Sequence, residues 1–253
     1  MDTLDSYSLS HKRRLHIVPL GDFHVGARNC NYDYLEYAVN TVKNLKGPKR
    51  VYLLGDLMET ADRRVGNSVF EQDLSIDDQI LYLRSLLKPI KDDIVFLCRG
   101  NHEDRLIQMY DLDLTRILAN SFDAKYGYQC HDVFKINDKE FQVMAYHGKG
   151  RSRNLQLAYG KVLRELGNFQ ADLYIYGHLH MTGSYREFVW TGRDIKQKTY
   201  ILTGHFMKYW GGYPESKALS LSPESFMICG VNKSLSVDCN PFFIHERRND
   251  LLT

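Results

Sequence analysis

Residues 15–24 read Leu-His-Ile-Val-Pro-Leu-Gly-Asp-Phe-His, and the same grammar returns twice downstream. An apolar run of strand length ends at glycine, and acidic and imidazole side chains follow at once. The second instance is Val51–Leu54 followed by Gly55-Asp56-Leu57-Met58-Glu59. The third is Ile94–Cys98 followed by Arg99-Gly100-Asn101-His102-Glu103. Between the first two, Tyr32, Leu35, Val39 and Val42 recur at helical spacing and Gly47-Pro48 closes the helix. Between the second and third, Ile76, Ile80, Leu83 and Leu87 share one helical face from about Ser75, and Pro89 stops it. Strand, helix, strand, helix, strand in this order predicts a parallel sheet with crossover helices.

The second half of the chain is strand-rich. Val133–Ile136, Phe141–Tyr146, Leu173–Tyr176, Tyr185–Trp190, Thr199–Leu202 and Phe226–Val231 are short strand candidates, with one helix over about Asn154–Leu166. No Pro/Gly/Ser-rich linker divides the halves, so residues 1–253 read as a single α/β domain with two sheets. Residues 181–253 are expected to complete the second sheet and a rim loop.

Lys and Arg total 33 against 31 Asp and Glu, a net charge of +2, which argues against a protein coated in positive charge for bulk nucleic-acid binding. A local basic patch is still compatible with that balance. Five scattered cysteines form no CxxC pair, so neither a cysteine zinc site nor a thioredoxin-like motif is supported. No apolar run approaches the ~20 residues of a membrane span. The polar N-terminus lacks the small-residue cleavage site of a signal peptide. These features predict an intracellular, cytoplasmic protein with reduced thiols and no membrane partner.

Five loops carry the chemistry-bearing residues: Asp22 and His24; Asp56; Asn101 and His102; His147 with Gly148; His178 and His180. Taken singly, an aspartate after a strand caps a helix or makes a turn. The His178-x-His180 pair, read as part of a strand, would put both imidazoles on one face. Taken together, the loops supply oxygen and imidazole donors without thiolate, a set suited to Mn, Fe, Zn, Co or Ni. Seven of these eight side chains already exceed one mononuclear site and suit two ions that share a bridging carboxylate. Such a pair clamps the attacking and leaving oxygens of a displacement at phosphorus.

With these residues in view, the chain resembles the calcineurin-like metallophosphoesterase superfamily, whose motifs are DxH, GDxx(D/E), GNH(D/E), HG and GHxH. All five occur in order between residues 22 and 180, as Asp22-Phe-His24, Gly55-Asp56-Leu-Met-Glu59, Gly100-Asn101-His102-Glu103, His147-Gly148 and Gly177-His178-Leu-His180. Thr203-Gly204-His205-Phe206 and Tyr209-Trp210-Gly211-Gly212-Tyr213 are similar to the tail of bacterial and phage-encoded members. The resemblance implies a four-layer α/β/β/α sandwich of two mixed sheets flanked by helices. It implies two divalent ions, with Mn2+ favoured. Asp22, His24 and His180 would bind one ion, Asn101, His147 and His178 the other, and Asp56 would bridge both. It further implies attack by a bridging hydroxide, with His102 as a non-ligand that stabilises the transition state or protonates the leaving oxygen. Glu59 and Glu103 read either as acceptors orienting a ligand histidine or as ordinary ion-pair or helix-start carboxylates. His205 follows a strand and reads either as a residue approaching the site or, the favoured reading, as a plain loop residue.

Three features bear on the substrate. Glu59-Thr60-Ala61 stands where Ser/Thr protein phosphatases carry Asp-Arg-Gly, which disfavours that class. The absence of secretory and disulfide patterns disfavours purple acid phosphatases. Lys149, Arg151 and Arg153 follow the His147 ligand closely, and Arg63 and Arg64 follow the second motif. Cations beside the centre favour a substrate with more than one phosphate; a solvated surface run is the other reading. Tyr209, Trp210 and Tyr213 read as a candidate stacking platform for bases or, the favoured reading, as ordinary packing aromatics. The expected substrate is therefore a phosphodiester of nucleic acid or a nucleotide. Phosphomonoesterase and non-catalytic interaction module are the alternatives.

Overall fold

The computed structural model describes residues 5–10, 13–61, 72–152, 154–210, 215 and 222–244. In chain order the elements are β1 (Ser6–Tyr7), β2 (Leu15–Leu20), α1 (Tyr32–Asn44), β3 (Lys49–Leu53), α2 (Ile76–Leu87), β4 (Ile94–Cys98), α3 (Asn101–Tyr110), α4 (Leu114–Phe122), β5 (Lys125–Gly127), β6 (Gln129–Ile136), β7 (Lys139–Tyr146), α5 (Leu155–Leu166), β8 (Leu173–Tyr176), β9 (Thr182–Trp190), β10 (Ile195–Thr203), β11 (Ser225–Val231) and β12 (Val237–Phe243). They form two six-stranded mixed sheets, ordered β12-β11-β2-β3-β4-β5 and β1-β6-β7-β8-β10-β9. Strands β2, β3 and β4 run parallel, as the sequence predicts.

Side-chain alternation builds the layers. Val18, Leu20, Val51, Leu53 and Leu97 point from the first sheet onto α1, α2 and α4. Their neighbours Ile17, Tyr52, Leu54 and Phe96 point the other way and meet Phe134, Phe141, Val143, Leu173 and Ile175 of the second sheet. On the far face, Met144, Tyr174, Tyr176 and Tyr200 pack against Ala158, Val162 and Leu166 of α5. The result is the expected α/β/β/α sandwich. Each large apolar side chain buried in it contributes about 2 kcal/mol by leaving water.

The helices begin where polar caps permit. Asn31, Ser75 and Asn154 accept backbone N–H groups at the starts of α1, α2 and α5. Helix α2 ends at Leu87, and the chain continues around Pro89 as a 3-10 helix, Lys88–Asp93. At the amino edge of the parallel strands, the buried Arg50 on β3 pairs with Asp132 on β6 and with Asp5, tying the two sheets together. No helix among the described residues is long and apolar enough to cross a membrane.

Two expectations are corrected. Residues 181–253 do not simply complete the second sheet. Only β9 and β10 join it, whereas β11 returns to lie antiparallel to β2 in the first sheet, with β12 beyond it. In that place β11 is buried on both faces. Phe226 and Ile228 meet the helices, and Met227, Cys229 and Val231 meet the second sheet. The Gly100-Asn101-His102-Glu103 stretch is not a loop but the junction of β4 with α3, whose first residues are Asn101, His102 and Glu103.

Candidate metal centre

The carboxyl ends of β2, β3, β4, β7 and β8 converge on one edge of the sandwich, where all five motif stretches meet. Asp22, His24, Asp56, His178 and His180 all adopt left-handed backbone, with φ of 53°, 51°, 47°, 64° and 52°. Each such residue carries a conformational penalty of roughly 1 kcal/mol, and their clustering in one place marks a functional site. His178 and His180 therefore lie in a turn after β8, where the sequence places the fifth loop, and strand alternation does not align them. The two left-handed residues turn both rings toward the aspartates.

Three groups of donor atoms form among the described residues. Asp22, His24 and His180 make one, Asp56, His147 and His178 another, and His24, Asp56 and His102 a third; within each group the donor atoms lie within 4.8 Å of one another. His24 Nε2 faces His180 Nε2 at 3.2 Å, and His178 Nδ1 faces His147 Nε2 at 3.1 Å. His180 Nε2 lies 3.3 Å from Asp22 Oδ1, yet that buried oxygen receives no aligned hydrogen bond. Asn101 Oδ1 reaches His147 Nε2 at 3.3 Å. The outer nitrogens fix the tautomers. His147 Nδ1–H donates to Leu54 O (2.6 Å) and His24 Nδ1–H to Glu59 Oε2 (3.2 Å), so each Nε2 turns a lone pair inward. Imidazole nitrogens and carboxylate oxygens that converge in this way could hold a cation between them, so the residues fit divalent metal binding.

Asp56 occupies the middle. Its Oδ2 lies 3.2 Å from His147 Nε2 and 4.0 Å from His178 Nδ1. It also shares a donor group with His24 and His102. Its Oδ1 accepts the His102 backbone N–H (2.9 Å), offered by the first turn of α3. Burial opposes its charge, but the surrounding imidazoles hold its pKa well below the usual carboxylate range. The same field, against the pull of burial, lifts His147 to about 10.

The loop carrying Asp56 is built on Glu103. Its carboxylate accepts N–H bonds from Asp56 (3.1 Å), Leu57 (2.7 Å), Met58 (3.0 Å) and Gly100 (3.1 Å). Glu103 thus holds backbone and orients no histidine. Burial and the Asp56 charge push its pKa up to about 7, so repulsion offsets part of that support. Gly100 is required beside it, because a Cβ there would lie 2.1 Å from Asp56 N. Glu103→Ala leaves these donors unpaired and is expected to destabilise the metal-free protein by about 3 kcal/mol. Urea unfolding measures this, and an unchanged midpoint would contradict it.

Glu59 does orient histidines. Besides His24 it lies 3.3 Å from His102 Nδ1, which also donates to Glu59 O (3.0 Å). Although burial opposes its ionisation, these two rings hold Glu59 at about 2. His102 Nε2 is left 4.0 Å from Asp56 Oδ2. Burial would lower the pKa of His102, but Asp56 and Glu59 overcome it and raise it to about 9.

His205 is more than a plain loop residue. Its ring stacks on His180 at 5.0 Å and 18°. Nε2 bonds Ser222 O (3.1 Å), and Nδ1 accepts Met207 N–H (3.2 Å). Both nitrogens are engaged, so it positions His180 rather than binding an ion.

On the rim, Lys149 and Arg151 are exposed beside His147. Trp210 is 72% exposed and packs edge-on against Tyr209. Arg63, Arg64, Arg153, Gly211, Gly212 and Tyr213 lie outside the described residues.

Among known proteins, the family model for calcineurin-like phosphoesterases matches residues 15–182. None of the curated proteins compared is similar enough to match. Solved structures also resemble this one, two of them as follows. A conserved uncharacterized protein of Streptococcus pneumoniae, described as a predicted phosphoesterase, has 13% identity and a TM-score of 0.40, covering 91% of this chain and 98% of its own. A metallophosphoesterase of Sphaerobacter thermophilus has 13% identity and a TM-score of 0.43, covering 90% and 88%. With the family match spanning most of the chain and the five motif stretches gathered at one edge, this protein belongs to the calcineurin-like phosphoesterase family.

Proposed function

We propose that this chain is a binuclear metal-dependent phosphodiesterase acting on nucleic acid or nucleotides. The observation that carries the binuclear reading is the position of Asp56, which shares donor groups both with His24 and with His147 and His178. Asp22, His24 and His180 would hold one ion, Asn101, His147 and His178 the second, and Asp56 both. Ions of this kind, with Mn2+ favoured for an oxygen and imidazole set, polarise phosphoryl oxygens and make a hydroxide nucleophile accessible at neutral pH.

The protein's own groups supply the rest. His102, anchored through Nδ1 by Glu59, presents Nε2–H as the proton donor to the leaving oxygen. Glu59 and Leu54 O keep His24 and His147 in the tautomers that turn Nε2 inward. The neutral Asn101 limits the negative charge facing an anionic substrate. Lys149, Arg151 and Arg153 would bind flanking phosphates, and Tyr209 and Trp210 would supply further rim contacts.

The test is the Mn2+-reconstituted protein against matched chromogenic mono- and diesters, then single- and double-stranded DNA, RNA, cyclic nucleotides and dinucleotides. Diester turnover exceeding monoester turnover is expected. A strong monoester preference would replace this reading with a phosphomonoesterase, and no hydrolysis of any substrate would favour a non-catalytic module.

A further inference from the structure

The chain crosses from the first sheet to the second between β5 and β6, and it does so beside the candidate metal centre. Gln129, the first residue of β6, pairs with Tyr146, the residue before His147. Gly127, the last residue of β5, pairs with Cys98 and accepts the Arg99 N–H (2.8 Å). Tyr128 sits between them. Its carbonyl accepts the Cys98 thiol proton (2.8 Å), and the same sulfur accepts the His147 N–H (3.2 Å). Two consecutive hydrogen bonds thus fix the Tyr128 backbone to that of His147. The opposite neighbour is equally close in the chain, because Arg99 immediately precedes Gly100-Asn101.

The side chains at this crossing form a ladder. The Arg99 guanidinium lies over the Tyr128 ring at 5.0 Å and over the Tyr126 ring at 5.7 Å, and Asp113 holds it through an ion pair. A cation fixed behind an aromatic ring restricts that ring's motion. Tyr128 is nevertheless 55% exposed and Tyr126 37% exposed. A half-exposed aromatic ring, backed by a cation and carried on backbone tied to that of His147, offers a π-face to a flat, apolar ligand group. Lys149, two residues beyond His147, is exposed as well and carries positive charge.

We propose that Tyr128, backed by Arg99 and Tyr126, stacks on a nucleobase of the substrate and so selects base-bearing diesters over base-free ones. This rests on the phosphodiesterase reading above and adds a specificity residue to it. It also places the base contact on the His147 and Asn101 side of the centre, rather than at Tyr209 and Trp210.

The experiment compares kcat/KM for thymidine 5′-(4-nitrophenyl) phosphate and methyl 4-nitrophenyl phosphate with Mn2+ present. Tyr128→Ala is expected to lower the ratio of the two values roughly 10-fold, the size of a lost base–aromatic stack. Tyr128→Phe keeps the ring and is expected to keep the ratio. An unaltered ratio in Tyr128→Ala, or equal loss in both variants, overturns the proposal. Binding of a 2-aminopurine dinucleotide separates this result from the parent reading. Stacking quenches the fluorophore in the wild type and in Tyr128→Phe, and Tyr128→Ala should relieve the quenching. Quenching without hydrolysis of either diester would leave the stack standing and remove the phosphodiesterase assignment. Identical quenching in all three proteins would remove the stack.

Discussion

Asp56→Asn is expected to impair metal binding at both positions and to lower kcat/KM by at least ~10^3-fold, about 4 kcal/mol in the barrier. Asparagine tolerates left-handed backbone, so the φ of 47° at this residue survives the change. Its side-chain oxygen can still accept the His102 N–H, which now reaches Asp56 Oδ1 at 2.9 Å. What disappears is the charge on the atom lying 3.2 Å from His147 Nε2 and 4.0 Å from His178 Nδ1. A single carboxylate shared between two groups couples their affinities, so both should weaken together. Metal content by mass spectrometry, read beside turnover, checks this. Two tightly retained ions in the variant would refute the bridging position.

His102→Ala is expected to keep two ions and to slow turnover by about 10^2 to 10^4-fold, the range for loss of a general acid. The backbone N–H that supports Asp56 is untouched by this substitution. The pH profile gives a second readout. Burial lowers the pKa of His102, and Asp56 and Glu59 more than reverse this, so its raised pKa of about 9 keeps the ring protonated at neutral pH. Wild-type activity should therefore fall on the alkaline side as the proton is lost, and the variant should lack that limb. Cations bound at Asp56 oppose the rise and would move the limb toward neutrality. His102 also shares a donor group with His24 and Asp56. Loss of an ion in His102→Ala would mean that the ring is a ligand.

Most of the candidate centre is readable in the sequence because each of the five stretches follows an apolar strand and begins with or contains a glycine. Local signals of that kind survive in one dimension. The Glu103 cradle does not, because its bonds span 45 to 47 residues to the Asp56 loop. The ring of His205 against His180 is hidden for the same reason. Helix α3 escapes reading because Gly100-Asn101-His102 has turn composition, although Glu103 and Asp104 place acidic residues in its first turn. Strands β1 and β5 are too short to show alternation, at two and three residues. The return of β11 to the first sheet is invisible because a strand buried on both faces carries no mark of which sheet it enters. Of the rim residues, Lys149 and Trp210 were readable as surface cations and aromatics. The Tyr126–Arg99–Tyr128 ladder was not, since it depends on where β5 and β6 cross.

The left-handed backbone at Asp22, His24, Asp56, His178 and His180 sets durability against activity in this chain. Glycine at any of the five would relieve conformational strain of roughly 1 kcal/mol and remove a donor at the same stroke. A library of the metal-free protein sorted for heat resistance alone would therefore drift toward glycine or asparagine at these positions and discard the centre as it gained robustness. Heat-tolerant versions that still turn over substrate must draw their gains from elsewhere in the sandwich, such as its sheet edges and helix caps.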